Sequence, residues 1–427
     1  MADAVQYIRE SFREIWRWLI KLSLRTWLII FLGPMFALLA SWQLQLSFSG
    51  TAIIQLPIVI IVSICMYEDL RKRILPMQWP AVAIGAFVVL LVFCSIALVP
   101  KTELHDELLL TESALQKMFK AQNPYAADYR GSLVDEWVGQ STKTSYVNGV
   151  YPGWDHYVYL PGFFVVSAPF YVVVKPLFGW YDQRIVYGVT FALLLIVLWA
   201  SLAHSPRRVE LFTAFSLSPF LISVLYGFND ILSIFLLALT ALLLVKKKVV
   251  FAAIVYGLAL ATKQTAWITA LFFVPIFIAT VKASARSVTS VFLILLASTA
   301  AIIVPFFLWS PSGFFDDTVR FFLGSTAYPI SGEGIGRFLL NAGIVTGSQS
   351  FPFWVFQIAV TLPLAVVLCI ALIKRPTVSR SFFAATATLA CYWFFSRYFL
   401  AAHVNVIILL LMIGLIITEV EHNKGTT

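Results

Sequence analysis

The chain has 427 residues, of which 60% are hydrophobic and only 12% are charged, and its mean hydropathy is +0.88. An ordinary soluble domain has about 25% charged residues, so this composition excludes a soluble protein. Apolar runs recur along the chain at roughly the 20-residue length that a helix needs to cross a bilayer. The alternating pattern of a transmembrane barrel is absent. We therefore expect an all-α polytopic membrane protein.

The net charge of +9 comes from bases that are concentrated in short links between apolar runs. The clusters are Arg71–Arg73, Arg207–Arg208, Lys246–Lys248, Lys282–Arg286 and Lys374–Arg375. This distribution follows the positive-inside rule, so we assign these links to the cytoplasm and expect no nucleic-acid partner. The cysteines lie inside apolar runs and predict neither a disulfide framework nor a metal site.

Residues 1–427 are predicted to form one integral-membrane domain with both termini in the cytoplasm. Arg9, Arg13, Arg17 and Lys21 recur every fourth position opposite apolar side chains. Residues 1–23 are therefore expected to form an amphipathic helix on the cytoplasmic surface. We predict twelve spans, at about 24–43, 52–67, 79–99, 185–203, 209–226, 231–245, 249–262, 266–281, 288–308, 353–373, 380–396 and 398–418.

Two polar segments are predicted to lie on the external side. The first loop, residues 101–178, ends in an apolar part, 157–178, that is interrupted by prolines. If residues 157–178 crossed the bilayer, four of the basic clusters would become external, so we predict a juxtamembrane or re-entrant element there. The second loop, residues 310–352, contains Asp316, Asp317, Glu333 and Arg337. Its Gly332–Gly336 run is expected to be flexible.

The first loop is predicted to begin with an amphipathic helix over residues 102–120, with Thr102 as its N-cap and Pro124 beyond its end. Asp106 and Glu107 lie in its early turns, where acids also stabilise a helix through its dipole. They are the candidates for a general base, because one positioned carboxylate can accept the proton of an attacking hydroxyl. The neighbouring His105 does not complete a metal site, since these three side chains would not converge on one ion.

Other polar residues are predicted to share the external side with this helix. They are His105, Asp155, His156, Asn229, Asp230, Lys263, Arg397 and His403. Ionisable groups at membrane depth are costly and therefore indicate a function. Lys263 and Arg397 predict a bound anion such as a lipid phosphate, because bases are disfavoured on this side. Structural alternatives are an Asp230–Lys263 pair, a turn or snorkelling role for Arg397, and simple packing for His403.

Three patterns follow one another along residues 100–275. They are Asp106 with a helix and Asn123-Pro124-Tyr125; Tyr157-Val158-Tyr159-Leu160-Pro161-Gly162 with Pro169; and Gly227-Phe228-Asn229-Asp230, then Lys246–Lys248 and Leu258-Ala259-Leu260-Ala261-Thr262-Lys263. In these features the chain resembles the integral-membrane glycosyltransferases of the GT-C fold. The closest resemblance is to the polyprenyl-phosphate-mannose-dependent α-mannosyltransferases. The chain departs from that branch by placing the acidic loop after its third predicted span, and by Gly162, where proline is common.

The resemblance implies a GT-C-like bundle of about twelve transmembrane helices with juxtamembrane helices in the first loop. It implies transfer of a mannose-like hexose from a polyprenyl-phosphate sugar to a hydroxyl of a glycan or glycolipid. Asp106 would be the base, with Glu107 as the alternative. No cofactor would be required, and a divalent metal would be optional. We predict substrate-binding roles for His105, Asn123, Tyr125, Asp155, His156, Tyr159, Asn229, Asp230, Lys263, Arg397 and His403.

The expected location is the cell inner membrane, with the active site on the external face and the bilayer as a partner. A transporter or flippase for a lipid-linked or anionic solute is the main alternative. It explains Lys263 and Asp230 within the membrane, but it explains a folded acidic loop poorly, and no inverted repeat is visible. A membrane scaffold without chemistry is a third interpretation. Ionisable residues on both sides of the midplane would favour the transporter, whereas a cluster on one side favours the transferase.

Overall fold

The computed structural model describes residues 79–140, 151–281, 285–323, 330–346 and 351–425. The predicted amphipathic helix at 1–23 and the predicted spans at 24–43 and 52–67 lie outside the described residues. The helices are α1 Trp79–Leu98, α2 Asp106–Phe119, α3 Leu133–Gln140, α4 Gly162–Phe178, α5 Arg184–Ser201, α6 Arg208–Ser216, α7 Phe220–Leu225, α8 Asp230–Val245, α9 Val249–Leu260, α10 Thr265–Val281, α11 Ala285–Trp309, α12 Pro311–Phe315, α13 Phe321–Leu323, α14 Ile335–Asn341, α15 Phe353–Lys374, α16 Val378–Phe394 and α17 Ala401–Gly425. The described residues also form two short strands, β1 Ser331–Gly332 and β2 Tyr398–Phe399, three 3-10 turns and a π-helical turn at Asp316–Arg320.

The helical content confirms the predicted all-α membrane protein. Five described helices are long and apolar enough to cross a bilayer; they are α1, α5, α11, α15 and α17. Four shorter apolar helices, α4, α8, α9 and α10, accompany them. The number of twelve spans stays a prediction, since it includes two spans that lie outside the described residues.

Two local predictions are wrong in their boundaries. The first-loop helix begins at Asp106 with His105 as its N-cap, because Lys101–Glu103 forms a separate 3-10 turn, so Thr102 does not cap it. The end of that helix, at Phe119, lies within one residue of the predicted end. The predicted span at 209–226 is two helices, α6 and α7, which are separated just before Phe220 by Pro219.

The central helix of the bundle is α8. It is apolar on all sides, and most of its residues are buried, as expected for a helix that is surrounded by others. It packs against α5, α9, α10, α16 and α17. Its first residue, Asp230, is 6% exposed. The N-terminal end of α8 is therefore enclosed by the turns that join its neighbours.

Several turns meet at this end of the bundle. Lys263, in the turn between α9 and α10, contacts Asp230, and the backbone N–H of His105 donates to the carbonyl oxygen of Tyr226 at 2.9 Å. At the opposite end, the carboxylate of Glu421 accepts hydrogen bonds from the first N–H groups of α16, Val378 at 2.8 Å and Ser379 at 3.2 Å. The bundle thus has one end that carries the predicted site residues and another at which helix ends are capped.

Arg184 fixes α5 to the end of α1. Its side chain is 1% exposed, and its guanidinium donates to the carbonyl oxygens of Ser95 at 2.6 Å and Val99 at 3.1 Å. These carbonyls lie in the last turn of α1 and just beyond its end, where few helical N–H donors remain, and that of Ser95 also accepts the Val99 N–H at 2.9 Å. The carboxylate of Asp182 neutralises the cation at 2.8 Å. These contacts hold the two ends of the first loop next to each other at the bundle.

The second loop contacts the segment before α17 through a parallel strand pair. Ser331 pairs with Tyr398, and Gly332 with Phe399. Gly332 has φ of +103°, and any side chain there would meet the backbone of Phe399. The Gly332–Gly336 run, expected to be flexible, instead forms β1 and the start of α14. Glycine is needed because two backbones approach closely.

Candidate active site at the end of the central helix

Asp106 is the first residue of α2 and bonds to two side chains. Its Oδ1 lies 2.8 Å from His105 Nδ1, and its Oδ2 accepts a hydrogen bond from the Tyr151 hydroxyl at 2.5 Å. The side chain remains 22% exposed. Burial alone would raise the pKa of Asp106, but the charge and hydrogen bond of His105, with the bond from Tyr151, outweigh it and lower the pKa. Asp106 is therefore an ionised and partly accessible carboxylate.

His105 has two roles that depend on its protonation. Burial lowers the pKa of the imidazole, but the Asp106 carboxylate outweighs this effect and raises the pKa overall. The protonated ring donates from Nδ1 to Asp106, whereas in the neutral ring Nδ1 can cap α2 by accepting from the Glu107 N–H at 3.4 Å. The ring centroid lies 4.0 Å from that of Phe228. His105 thus orients the carboxylate and joins it to the turn before α8.

Glu107 reaches across to the same turn. Its Oε2 accepts a hydrogen bond from the Asn229 N–H at 3.1 Å, at the N-terminus of α8. Gly227 makes this approach possible: its φ is +88°, and a Cβ atom there would lie 2.9 Å from Leu108 Cδ1. The start of α2 is consequently fixed to the start of the central helix, and Glu107 contributes a structural contact that Asp106 does not make.

Lys263 places a positive charge at the N-terminal end of α8. Its Nζ lies 2.6 Å from Asp230 Oδ1 and 2.9 Å from Asn229 Oδ1, and 5.7 Å from the ring centroid of Tyr159. The Lys263 side chain is 13% exposed and that of Asp230 is 9% exposed. Burial lowers the pKa of Lys263, but Asp230 and then Glu107 outweigh burial and raise it, so the ammonium group is retained. The pair that the sequence left as a structural alternative does form.

Arg397 and His403 lie on the segment that covers the site from the α16–α17 side. Arg397 is 6% exposed and is hydrogen-bonded to the phenol of Tyr398, which interacts electrostatically with Asp106. His403 accepts the Leu400 N–H at 3.0 Å through Nδ1, so its remaining proton is on Nε2. Its ring packs against Trp393 with centroids 4.8 Å apart, which is the packing role that the sequence left open. His403 is nonetheless close enough to Lys263, Asp230 and His105 to interact with them electrostatically.

His156 lies at the contact between the two loops. Its Nδ1 is 2.6 Å from Asp317 Oδ1, and the Tyr157 N–H donates to Asp317 Oδ2 at 2.9 Å. Gln264, next to Lys263, donates from Nε2 to the carbonyl oxygens of Val158 at 3.0 Å and Thr318 at 3.2 Å. The second loop therefore fixes the segment that carries Tyr159.

The remaining predicted site residues support the loop. Asn123 caps the 3-10 turn Pro124–Ala126 by accepting the Tyr125 N–H at 2.9 Å. The Tyr125 hydroxyl donates to the carbonyl oxygen of Tyr159 at 2.8 Å, and its ring is buried among other aromatic rings. Asp155 forms an exposed ion pair with Arg130 at 2.7 Å. None of these three side chains contacts Asp106 or Lys263 directly.

The structure thus brings together most of the predicted residues. Those that meet at the end of α8 are His105, Asp106, Glu107, Tyr159, Asn229, Asp230, Lys263, Arg397 and His403. The sequence gives no signal for Tyr151 or Tyr398, and it indicates Gln264 only as a polar neighbour of Lys263. It indicates Asp317 only as an acid of the second loop. Gln264 was adjacent to a candidate cation, but no local pattern indicates that Tyr151 or Asp317 contacts residues far away in sequence.

Within the described ranges, no group of three His, Cys, Asp or Glu side chains is arranged to hold a metal ion. The optional metal therefore stays a prediction without assigned ligands.

Comparison with known proteins gives one match. The profile of glycosyltransferase family 87 matches residues 157–420, which is well over half of the chain and includes Lys263, Asp230 and Arg397. Comparison with curated proteins and with solved structures found no match.

Proposed function

The chain belongs to glycosyltransferase family 87, and we propose that it moves a mannose-like hexose from a polyprenyl-phosphate donor to a hydroxyl of a glycan or glycolipid. Its apolar helices place it in a membrane, and its family makes it a glycosyltransferase. This agrees with the resemblance to the GT-C glycosyltransferases. The donor, the acceptor and the residue roles are the parts that we propose.

The observation that carries the proposal is the meeting of an ionised carboxylate and two cations at one end of the bundle. Asp106 is partly exposed, and its lowered pKa keeps it ionised at neutral pH. Lys263 and Arg397 supply positive charge on neighbouring turns. A donor whose leaving group is a phosphate needs such charge, and an acceptor hydroxyl needs a base.

In the proposed step, the acceptor oxygen forms a bond to the anomeric carbon of the donor sugar. The bond from that carbon to the phosphate oxygen breaks, and the phosphate keeps the electron pair. The acceptor proton passes to Asp106. A weak base is sufficient because the phosphate leaves as a stable anion and the transition state resembles an oxocarbenium ion. Lys263 and Arg397 stabilise the charge that develops on the phosphate.

Between the two acids, the contacts favour Asp106 as the base. One oxygen of Glu107 is used by the Asn229 N–H, which fixes α2 to α8. The Asp106 carboxylate is instead oriented by two side chains that donate to it, and it keeps an accessible edge. Orientation of a base by a second group is a feature of acid–base sites. Glu107 would then position the helix rather than react.

The active site is proposed to face the external side of the cell inner membrane. This follows from the basic links, which alternate with the site-bearing turns along the chain. The transporter alternative loses support, because the family is one of glycosyltransferases and the ionisable residues cluster at one end of α8.

The test uses the purified chain in proteoliposomes with a polyprenyl-phosphate mannose donor and a panel of alkyl mannosides as acceptors. Asp106→Asn is expected to lower transfer by at least about a hundred-fold, which is the usual contribution of general base catalysis. Glu107→Gln should lower it less. Glu136→Gln, an exposed acid of α3, is the matched control. Full transfer by both Asp106→Asn and Glu107→Gln would refute the base assignment.

A further inference from the structure

The first loop carries aromatic side chains that lead away from Asp106. Tyr151, which donates to Asp106, has its ring centroid 5.8 Å from that of Trp137 and 6.1 Å from that of Trp154. Tyr151 is buried, whereas both tryptophans are half-buried. An aromatic surface therefore connects the proposed base with the outside of the protein.

An ion pair between Arg130 and Asp155 lies next to this aromatic surface. The guanidinium carbon of Arg130 lies 5.2 Å from the ring centroid of Trp154, and its Nη1 is 2.7 Å from Asp155 Oδ1. The side chains of Arg130 and Asp155 are each 48% exposed. Exposed ion pairs contribute little to protein stability, so these two side chains are available to a ligand at small cost to the fold.

Such a combination of groups is suited to carbohydrate. The C–H bonds on one face of a sugar ring are weakly polarised and pack against the electron-rich face of an aromatic ring. Sugar hydroxyls donate to carboxylates and accept from a guanidinium. Ligand sites commonly combine aromatic walls with a few polar groups that fix orientation.

We propose that Trp137, Trp154 and the Arg130–Asp155 pair form an acceptor subsite that binds a glycan of at least two sugar units. The sugar that carries the reacting hydroxyl lies at Tyr151 and Asp106, and the next unit packs on Trp154 beside Arg130. The inference rests on the proposed function and specifies its acceptor. The consequence is a preference for disaccharide over monosaccharide acceptors.

Trp154 is the better of the two tryptophans for a test. Its Nε1 is buried without a hydrogen-bond partner among the described residues, so Trp154→Phe removes no hydrogen bond while it keeps an aromatic face. Trp137 Nε1 donates to the carbonyl oxygen of Leu104 at 2.8 Å, next to the start of α2, so its substitution would disturb the site itself. Trp180, 47% exposed beyond the end of α4, is the matched control.

The experiment compares octyl mannoside with octyl dimannoside as acceptors for the reconstituted chain, and it also measures donor hydrolysis without acceptor. Trp154→Ala is expected to raise KM for the dimannoside on the order of ten-fold, with little change for the monosaccharide. Donor KM and donor hydrolysis should not change. Trp154→Phe should recover most of the affinity, Arg130→Gln should lose part of it, and Trp180→Ala should behave as the wild type.

An unchanged dimannoside KM in Trp154→Ala, while the wild type transfers, overturns the subsite and leaves the proposed function intact. A parallel loss of donor hydrolysis also overturns it, since Trp154 would then act through the fold or the donor. A wild type that transfers from no polyprenyl-phosphate sugar refutes the proposed function, and the subsite falls with it.

Discussion

The imidazole of His156 and the carboxylate of Asp317 lie 161 positions apart in the sequence and meet at 2.6 Å. The same carboxylate accepts the Tyr157 N–H at 2.9 Å, so both of its oxygens are used by adjacent residues. Asp317 is 2% exposed and lies on a π-helical turn of the second loop. This contact holds the segment that carries Tyr159 beside Lys263. His156, predicted to bind substrate, acts in this structure as a link between the loops.

Asp317→Ala is expected to release this segment. The variant loses two hydrogen bonds to a buried carboxylate, which is about 2 kcal/mol of local stability. Hydrogen exchange of residues 156–160 and 316–320, followed by mass spectrometry, should become faster. Asp316→Ala is the control, because Asp316 pairs with Arg320 on the surface at 2.7 Å. Equal protection of residues 156–160 in the wild type and Asp317→Ala would show that the loops are held elsewhere.

Lys263 has both a structural and a proposed catalytic role, and two variants separate them. Lys263→Met leaves Asp230 buried without its cation, which should destabilise the protein by about 3 kcal/mol. In Lys263→Met/Asp230→Asn the unpaired charge is removed, so the thermal midpoint should return towards that of the wild type. Transfer should remain low in both variants if Lys263 stabilises the phosphate.

The control for this pair of variants is Asp230→Asn alone, which keeps the cation. A double variant that regains transfer together with stability would show that the lysine is only structural. In that case Arg397 would be the cation to examine next.

Much of the bundle could be predicted because apolar length and basic links are encoded locally. The positions of α1, α5, α8 and α15 follow from hydropathy alone, within a few residues. The proximity of Asp230 and Lys263 follows from the alternation of helix direction, since both lie in turns at the same end. The sequence predicts that α2 lies on the same side as that end, but it does not predict the contacts that join them, because these depend on Gly227 and have no sequence pattern.

Gly162 is a second residue whose structural role could not be predicted from the sequence. The sequence marks it only as a departure from a position where related proteins often have proline. In the structure its N–H donates to the carbonyl oxygen of Ala261 at 2.8 Å, and a Cβ atom would lie 2.5 Å from that oxygen. Proline has no N–H and carries a Cβ, so the close approach of α4 to the α9–α10 turn requires glycine here.

Glu112 should make stability fall as the pH rises. Burial raises the pKa of this carboxyl to about 7, although Lys101 lies 2.6 Å away and opposes the effect. In the unfolded chain the group ionises near its ordinary pKa of 4.5. Between these values the folded state binds more protons, so stability is lost as pH rises from about 4.5 to about 7.

The measurement is the thermal midpoint in detergent at pH 5 and pH 8 for the wild type and Glu112→Gln. The glutamine variant does not ionise, so its midpoint should fall less over this range. Glu136→Gln, on the exposed side of α3, should retain the slope of the wild type. An identical slope in Glu112→Gln would show that other groups govern the pH dependence.

The contact between His105 and Asp106 predicts the acid limb of the pH–rate profile. In the wild type the lowered pKa of Asp106 places that limb below its ordinary pKa of 3.8, so transfer should not fall through loss of the base between pH 7 and pH 5. His105→Asn removes the imidazolium and retains a residue that caps a helix well. Burial of Asp106 is then less strongly opposed, so its pKa rises and the acid limb of kcat/KM moves to higher pH.

Tyr151→Phe removes one hydrogen bond to the same carboxylate and should move the limb in the same direction by less. Glu107→Gln provides the comparison: an acid limb that is lost in this variant, together with most of the transfer, and that does not move in His105→Asn would identify Glu107 as the base.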